Sequence, residues 1–274
     1  MTTMDIIIIF LMNTFSFLVM GITGFGATVL AQPTNISVLG LNIAIPFSTL
    51  ITFPCQLYLG FKTMKNVAWK QLLKIGIICV PGLFLGQYMA TIMDPDISKT
   101  IIGIFVSVIA LKGLYEVFVK TPKLIKKAQE EDPTKVITEI ETEDGPLKKA
   151  FNYICLFLGG AMQGAYVIGG PLITVYVLSA IKDKTVFRNT MNWLWIILNC
   201  VLNFTSQLSK GMYAQEGLWL IVGIGAVAAF VGYFIGIKVH DKLSKQLFLK
   251  ITYVMLLLTG ANMLIQALGA LGII

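Results

Sequence analysis

The chain has 274 residues, 56% of them hydrophobic and 13% charged, with a net charge of +7. A soluble domain carries about 25% charged residues, so the composition excludes a soluble globular domain and indicates an integral membrane protein. The cations cluster in short loops between apolar blocks, which makes acidic lipid headgroups their partners and argues against nucleic acid.

A helix needs about 20 apolar residues to cross roughly 30 Å of hydrocarbon. Eight blocks qualify: 6–39, 43–61, 72–93, 97–119, 150–181, 189–208, 217–239 and 247–273. The first follows Met1 to Asp5, where there is no basic n-region, and no A-x-A-like cleavage site follows it; it is expected to stay attached as a membrane segment. This block is overlong and broken, with Gly21, Gly24 and Gly26 followed by Pro33. Block five repeats the pattern, with Gly159, Gly160, Gly164, Gly169 and Gly170 ahead of Pro171. Gly costs about 1 kcal/mol and Pro about 3 kcal/mol in a helix interior relative to Ala. Backbone freed in lipid survives only where protein covers it or a cavity meets it. Paired breaks in matching halves point to a transporter binding site. Blocks three and seven also correspond, through the G-x-x-x-G pairs Gly82/Gly86 and Gly232/Gly236, a weak packing signal made more credible by its recurrence.

The charged stretch Lys120–Lys149 separates four blocks from four. Lys62, Lys65, Lys70 and Lys74 follow block two; Asp94, Asp96 and Lys99 follow block three. Lys182, Asp183, Lys184 and Arg188 follow block five; Lys210 and Glu216 follow block six. Lys238, Asp241, Lys242, Lys245 and Lys250 follow block seven, with His240 in the same loop. If every block crosses once, the basic loops after blocks two and seven face opposite sides, against the positive-inside rule. If blocks one and five enter and return, all basic loops face the cytoplasm and both termini face outside. The predicted fold is therefore an all-α integral membrane protein of about eight hydrophobic helical blocks in two inverted repeats, the first block of each broken or re-entrant. Residues 1–119 form one repeat, 120–149 a charged cytoplasmic linker and 150–274 the other repeat. Eight or ten plain crossings are the alternative.

A broken helix exposes N–H groups where its second half starts, and these attract anions. The expected half-helix starts are Ala27-Thr28 and Pro171-Leu172. Gly24, Gly26, Gly169 and Gly170 would let an anion reach the backbone. Thr23, Thr28, Gln32, Thr34, Asn35, Gln163, Tyr166 and Thr174 are nearby polar candidates; each also has a plainer role in repairing broken backbone hydrogen bonds. Arg188, at the head of block six near the second break, is a candidate bidentate partner or a snorkelling anchor. Asn192, Asn199 and Asn203 stripe one face of that block, and Ser48, Thr49, Thr52 and Gln56 are a weaker counterpart in block two. The candidate substrate residues are thus Gly24, Gly26, Thr28, Gln32, Gln163, Gly169, Gly170, Thr174, Arg188 and Asn192. Cys55, Cys79, Cys155 and Cys200 lie in apolar blocks without metal-type spacing, and His240 is the single histidine. No metal, cofactor or enzymatic group is expected.

Gly21-x-x-Gly24-x-Gly26 ahead of Pro33, Gly160-x-x-x-Gly164 with Gly169-Gly170-Pro171, and Arg188-Asn189-Thr190 at the start of block six resemble the sulfite exporter TauE/SafE family, also called the sulfonate uptake permease family. The resemblance covers nearly the whole chain. It implies transport of a small anion such as sulfite or an organosulfonate across a bacterial or archaeal cytoplasmic membrane. Gly26-Ala27-Thr28 departs from the longer glycine run often found there. Such a protein would be a secondary transporter with alternating access around a central site; a passive anion channel, or a permease for another small anion, is the alternative. A homo-oligomer is compatible with the sequence.

The charge pattern generates a labelling prediction. Cysteines introduced near Asp96 and Lys210 should react with an impermeant reagent from outside, and those near Lys65, Lys184 and Lys242 should not. Outside labelling near Lys184 contradicts a re-entrant block five.

Overall fold

The computed structural model describes residues 2–89, 92, 95–120, 122–123, 145–166, 169–200, 207–208 and 211–270. Ten α-helices run through them, with no strand among the described residues. Before the charged stretch come α1 (Thr3–Thr23), α2 (Ala27–Leu39), α3 (Leu41–Lys62), α4 (Trp69–Met89) and α5 (Pro95–Tyr115). After it come α6 (Pro146–Tyr166), α7 (Gly170–Ala180), α8 (Lys184–Leu198), α9 (Leu218–Lys242) and α10 (Lys245–Ala270). Most of the charged stretch, Asp94, Asn203, Lys210 and the Tyr166 side chain lie outside the described residues.

Blocks one and five are each a helix pair. α1 stops because Gly24 and Gly26 take the left-handed φ values 85° and 97°, which L side chains disfavour. α2 has 13 residues and α7 has 11. At 1.5 Å per residue they are about 20 and 16 Å long, well short of a roughly 30 Å hydrocarbon core. By contrast α1, α3, α4 and α9 are long and apolar enough to cross a membrane. Leu11 and Phe15 on α1, Leu73, Ile77 and Phe84 on α4, and Leu220 and Val227 on α9 are exposed. An apolar exterior of this kind suits lipid.

Glycines set which helices meet. A Cβ added to Gly82 or Gly86 of α4 would run into the Phe157 or Ala161 carbonyl oxygen of α6. From the other side, Gly160 and Gly164 of α6 lie against the backbone of Cys79 and Leu83. Likewise Gly232 and Gly236 of α9 lie against the Thr14 and Leu18 carbonyls of α1, and Gly21 lies against Tyr233. In both pairs the contacting residue numbers rise together, so α4 runs parallel to α6 and α9 parallel to α1. The broken helix of each half is thus packed against the third block of the other half.

Two further pairs run antiparallel. Gly103 of α5 meets Gly260 and Leu264 of α10, Gly113 meets Tyr253, and Lys250 stands 4.5 Å over the Phe118 ring just beyond α5. Gly60 of α3 faces Asn192 and Ile196 of α8. Asn192 donates to the Gln56 carbonyl (2.8 Å) and Asn199 to Gln56 Oε1 (3.2 Å). Asn192 and Asn199 of one polar stripe therefore meet Gln56 of the other and satisfy amides that lipid would leave unpaired.

Three basic connections gather at one end of the bundle. The Ala68 N–H donates to Thr190 Oγ1 (3.0 Å) and the Asn189 amide to the Asn66 carbonyl (3.5 Å). Lys184 Nζ donates to the carbonyls of His240 (2.7 Å) and Leu243 (2.6 Å), at the end of α9.

The glycine contacts yield a paired prediction. Gly86→Ala and Gly232→Ala should lower the thermal stability of detergent-purified protein, because the methyl group meets backbone. Gly76→Ala and Gly223→Ala, in the same helices but with nothing within 4 Å, should be neutral or stabilising by up to about 1 kcal/mol. Equal effects at all four positions would show that close approach does not hold these helices together.

Candidate functional site

One helix touches both breaks. Trp195 of α8 donates its Nε1–H to the Gly24 carbonyl at the first break (3.1 Å). A Cβ on Gly170, at the second break, would stand 3.6 Å from the same indole and 3.9 Å from Phe25. Arg188, two turns earlier in α8, lies against the first break too: a Cβ on Gly24 would be 2.9 Å from its carbonyl oxygen and 3.2 Å from its Cγ. α8 can run through this polar region because Asp183 caps it, accepting from the Thr185 and Val186 N–H groups.

Arg188 departs from one sequence expectation: at 2% exposure it does not snorkel. It lies against the first break, although the sequence placed it near the second. Its Nε donates to Asn189 Oδ1 (3.4 Å), while Nη1 is buried with no hydrogen bond. Nη1 lies 3.7 Å from Asp241 Oδ1, an ion pair too long for a hydrogen bond, on a carboxylate whose side chain is 63% exposed. Among the described residues no Asp or Glu is buried. A buried cation is therefore only partly compensated.

His240 was expected in a loop and is instead buried in the last turn of α9. Its Nδ1 lies 2.7 Å from the Ile22 carbonyl, just before the first break. The sequence carried a signal for this: Gly232, Gly236 and His240 are spaced by four and share one helix face. Trp195 carries no such signal, because its partners come from both halves of the chain.

The four tip glycines divide into two kinds. Gly24 and Gly169 are close-packed, Gly24 on Arg188 and Gly169 on the Gly159 carbonyl and Gln163. Gly26 and Gly170 have room, since an added Cβ on Gly26 meets only Val19 at 4.0 Å. The polar candidates also divide. Gln163 Oε1 accepts the Gly169 N–H (3.0 Å), and Thr23 Oγ1 accepts the Phe25 N–H (3.3 Å), so each repairs its break. Gln32 Oε1 accepts from Ser48 (2.6 Å), and Asn35 bonds Asn13 and Ser48. Asn192 bonds Gln56 and accepts from Tyr233 (2.9 Å). Thr28 is half-buried in the first turn of α2. Thr174 is fully buried in α7 with its hydroxyl unpartnered.

The N-cap residues of α2 and α7 are Gly26 and Gly169, so no N-cap side chain occupies their first N–H groups. Helix starts of this kind favour negative charge. Helix starts without a capping side chain, a partly compensated arginine and an unpartnered hydroxyl are each able to donate to an anion. No metal-type cluster occurs among the described residues.

The division of the glycines is testable by substitution. Gly170→Ala should fold with near-normal stability, whereas Gly169→Ala should unfold at a lower temperature because its methyl group strikes the Gly159 carbonyl. Thermal scans of purified protein give the comparison; equal stabilities would contradict the packing described.

Residues 9–263 match the family described as Sulfite exporter TauE/SafE, nearly the full length of the chain. No curated protein and no solved structure matches it significantly. The duplicated glycine breaks and the buried polar centre lie within the matched region. The chain therefore belongs to the TauE/SafE sulfite exporter family, and is a multi-pass plasma-membrane transporter of sulfur-containing anions rather than an enzyme.

Proposed function

We propose that the protein is a secondary transporter that carries sulfite or a small organosulfonate by alternating access around the two breaks. The observation that supports this most is Arg188, buried against Gly24 with no buried carboxylate among the described residues. A helix start contributes about 0.3–1 kcal/mol toward an anion, up to about 2 when partly buried. Desolvating the anion costs several kcal/mol, so helix starts alone are insufficient. A guanidinium supplies a planar bidentate fork suited to a sulfonate or sulfite. Gly24, Gly26, Thr28, Gly170, Thr174 and Arg188 form the inner set of this reading. Gln32, Gln163, Gly169 and Asn192 hold that set in place through the bonds and contacts described above.

Alternating access needs two equivalent halves of opposite orientation. Equivalent helices α3 and α8, and α5 and α10, run antiparallel, and the packing of α9 on α1 repeats as that of α4 on α6. These relations support two inverted repeats, 1–119 and 150–274, joined by a cytoplasmic linker. The short α2 and α7 support re-entrant hairpins. The meeting of the basic connections after α3, α7 and α9 at one end supports a cytoplasmic assignment for that end.

Proteoliposomes test the reading. Uptake of labelled sulfite or an organosulfonate should proceed against its gradient when a second ion gradient is supplied. Arg188→Lys keeps the charge and removes the fork. Hydrogen bonds to charged groups contribute about 1.5–3 kcal/mol, so apparent affinity should fall roughly tenfold to hundredfold while expression stays normal. Flux that only runs downhill would indicate a channel, and an unchanged affinity in Arg188→Lys would remove Arg188 from the site.

A further inference from the structure

Two buried nitrogens without a hydrogen bond flank the end of α1: Arg188 Nη1 and His240 Nε2. The second is informative because the other ring nitrogen fixes its state. His240 Nδ1 lies 2.7 Å from the Ile22 carbonyl oxygen. A carbonyl only accepts, so Nδ1 carries the hydrogen and donates it. In the neutral ring Nε2 then holds a bare lone pair, buried and bonded to nothing. The buried amides of Gln163, Gln56 and Asn192 find partners, whereas the buried hydroxyls of Ser16, Ser107, Thr174 and Thr252 do not. An unused lone pair beside a partly compensated arginine calls for an explanation.

We propose that His240 Nε2 is the binding site of a proton taken up together with the transported anion. This rests on the reading that the anion binds at Arg188. The charged groups that face His240 set the order of events. α8 presents Arg188 and Lys184, and Asp241 lies on its own helix. α1 presents the Ile22 carbonyl, and α10 presents the Phe248 ring, 5.6 Å between centroids and edge-on. A second cation here would face Arg188 and Lys184, with Asp241 as its one neighbouring carboxylate among the described residues. An anion on Arg188 reverses that balance. The imidazole then takes one proton from the solution on the side the anion enters, through a new N–H bond at Nε2, and no other bond changes. Release of the anion expels the proton. Proton and anion therefore bind with mutual assistance and cross together, which makes a proton gradient the coupling source.

The geometry also says why a histidine serves. Only a ring with two nitrogens can hold the Ile22 carbonyl with one and titrate with the other. Lys184, bound to the His240 and Leu243 carbonyls, pins the last turn of α9 and keeps the ring in place. His240 would thus tie the end of α9 to the first break, so that protonation is felt where α1 stops.

The chain has a single histidine, so nitrogen NMR of tag-free protein labelled with 15N-histidine reads this residue alone. The probe is sulfoacetate, whose charge does not change near neutral pH, with sulfate as a second anion. Without anion at pH 7.5 the spectrum should show the neutral ring protonated at Nδ1. Saturating sulfoacetate should convert it to the imidazolium, and calorimetry in two buffers of different ionisation enthalpy should report about one proton taken up per anion. His240→Asn keeps a donor for the Ile22 carbonyl and removes the titrating nitrogen; it should bind sulfoacetate without proton uptake and lose proton-driven accumulation. Anion binding to wild-type protein with a ring that stays neutral, or undiminished uptake of protons by His240→Asn, overturns the proposal while leaving the anion site intact. Folded wild-type protein that binds neither sulfoacetate, sulfate nor sulfite overturns the anion site and this inference with it.

Discussion

Interrupted backbone inside a membrane has no water to satisfy it, and everything distinctive in this fold follows from how the interruptions are covered. Each broken helix is clamped by a glycine-faced helix of the other half, α9 on α1 and α4 on α6. Gly82, Gly86, Gly232 and Gly236 bring backbone against backbone there, leaving no room for a side chain. The two halves of the chain thus interlock. Local repair completes the cover: Thr23 at the first break and Gln163 at the second take N–H groups that the helix geometry abandons.

With the breaks fixed, α8 becomes the element on which both converge. Its Trp195 spans from the Gly24 carbonyl to Gly170, and its Arg188 lies against Gly24. A buried guanidinium with its nearest carboxylate exposed is costly in an empty site. That cost favours an anion without demanding tight binding, which suits a transporter that must release its cargo. In the proposed function, the charge of the bound anion supplies the compensation that the exposed Asp241 gives only in part.

Much of this was legible in the sequence because it is encoded locally. Single prolines such as Pro46, Pro54 and Pro81 stand inside helices, but glycines clustered ahead of a proline mark a break, so both interruptions and the starts at Ala27 and near Pro171 follow from the chain alone. The recurrence of G-x-x-x-G in blocks three and seven likewise announced close packing, though not its partners. What escaped depends on tertiary placement. Arg188 reads as a loop cation until α8 is seen to start at Lys184 and to pack on Gly24. His240 reads as a loop residue because Lys238, Asp241 and Lys242 surround it, although α9 continues through all four. The tip glycines look alike in sequence, yet Gly169 is filled by its neighbours and Gly170 is not, a difference set by Gly159 and Trp195 rather than by the glycines themselves.

The central claim, that the transported anion sits at the breaks on Arg188, is tested most directly by locating an anion. Crystals grown with selenate, a heavy analogue of the sulfur oxyanions, give an anomalous signal at the selenium position. The account predicts a peak between Gly24, Gly170 and Arg188, with an oxygen within hydrogen-bond distance of Nη1 and of the first N–H groups of α2. A signal confined to the basic connections after α3, α7 and α9, with none at the breaks, would contradict it.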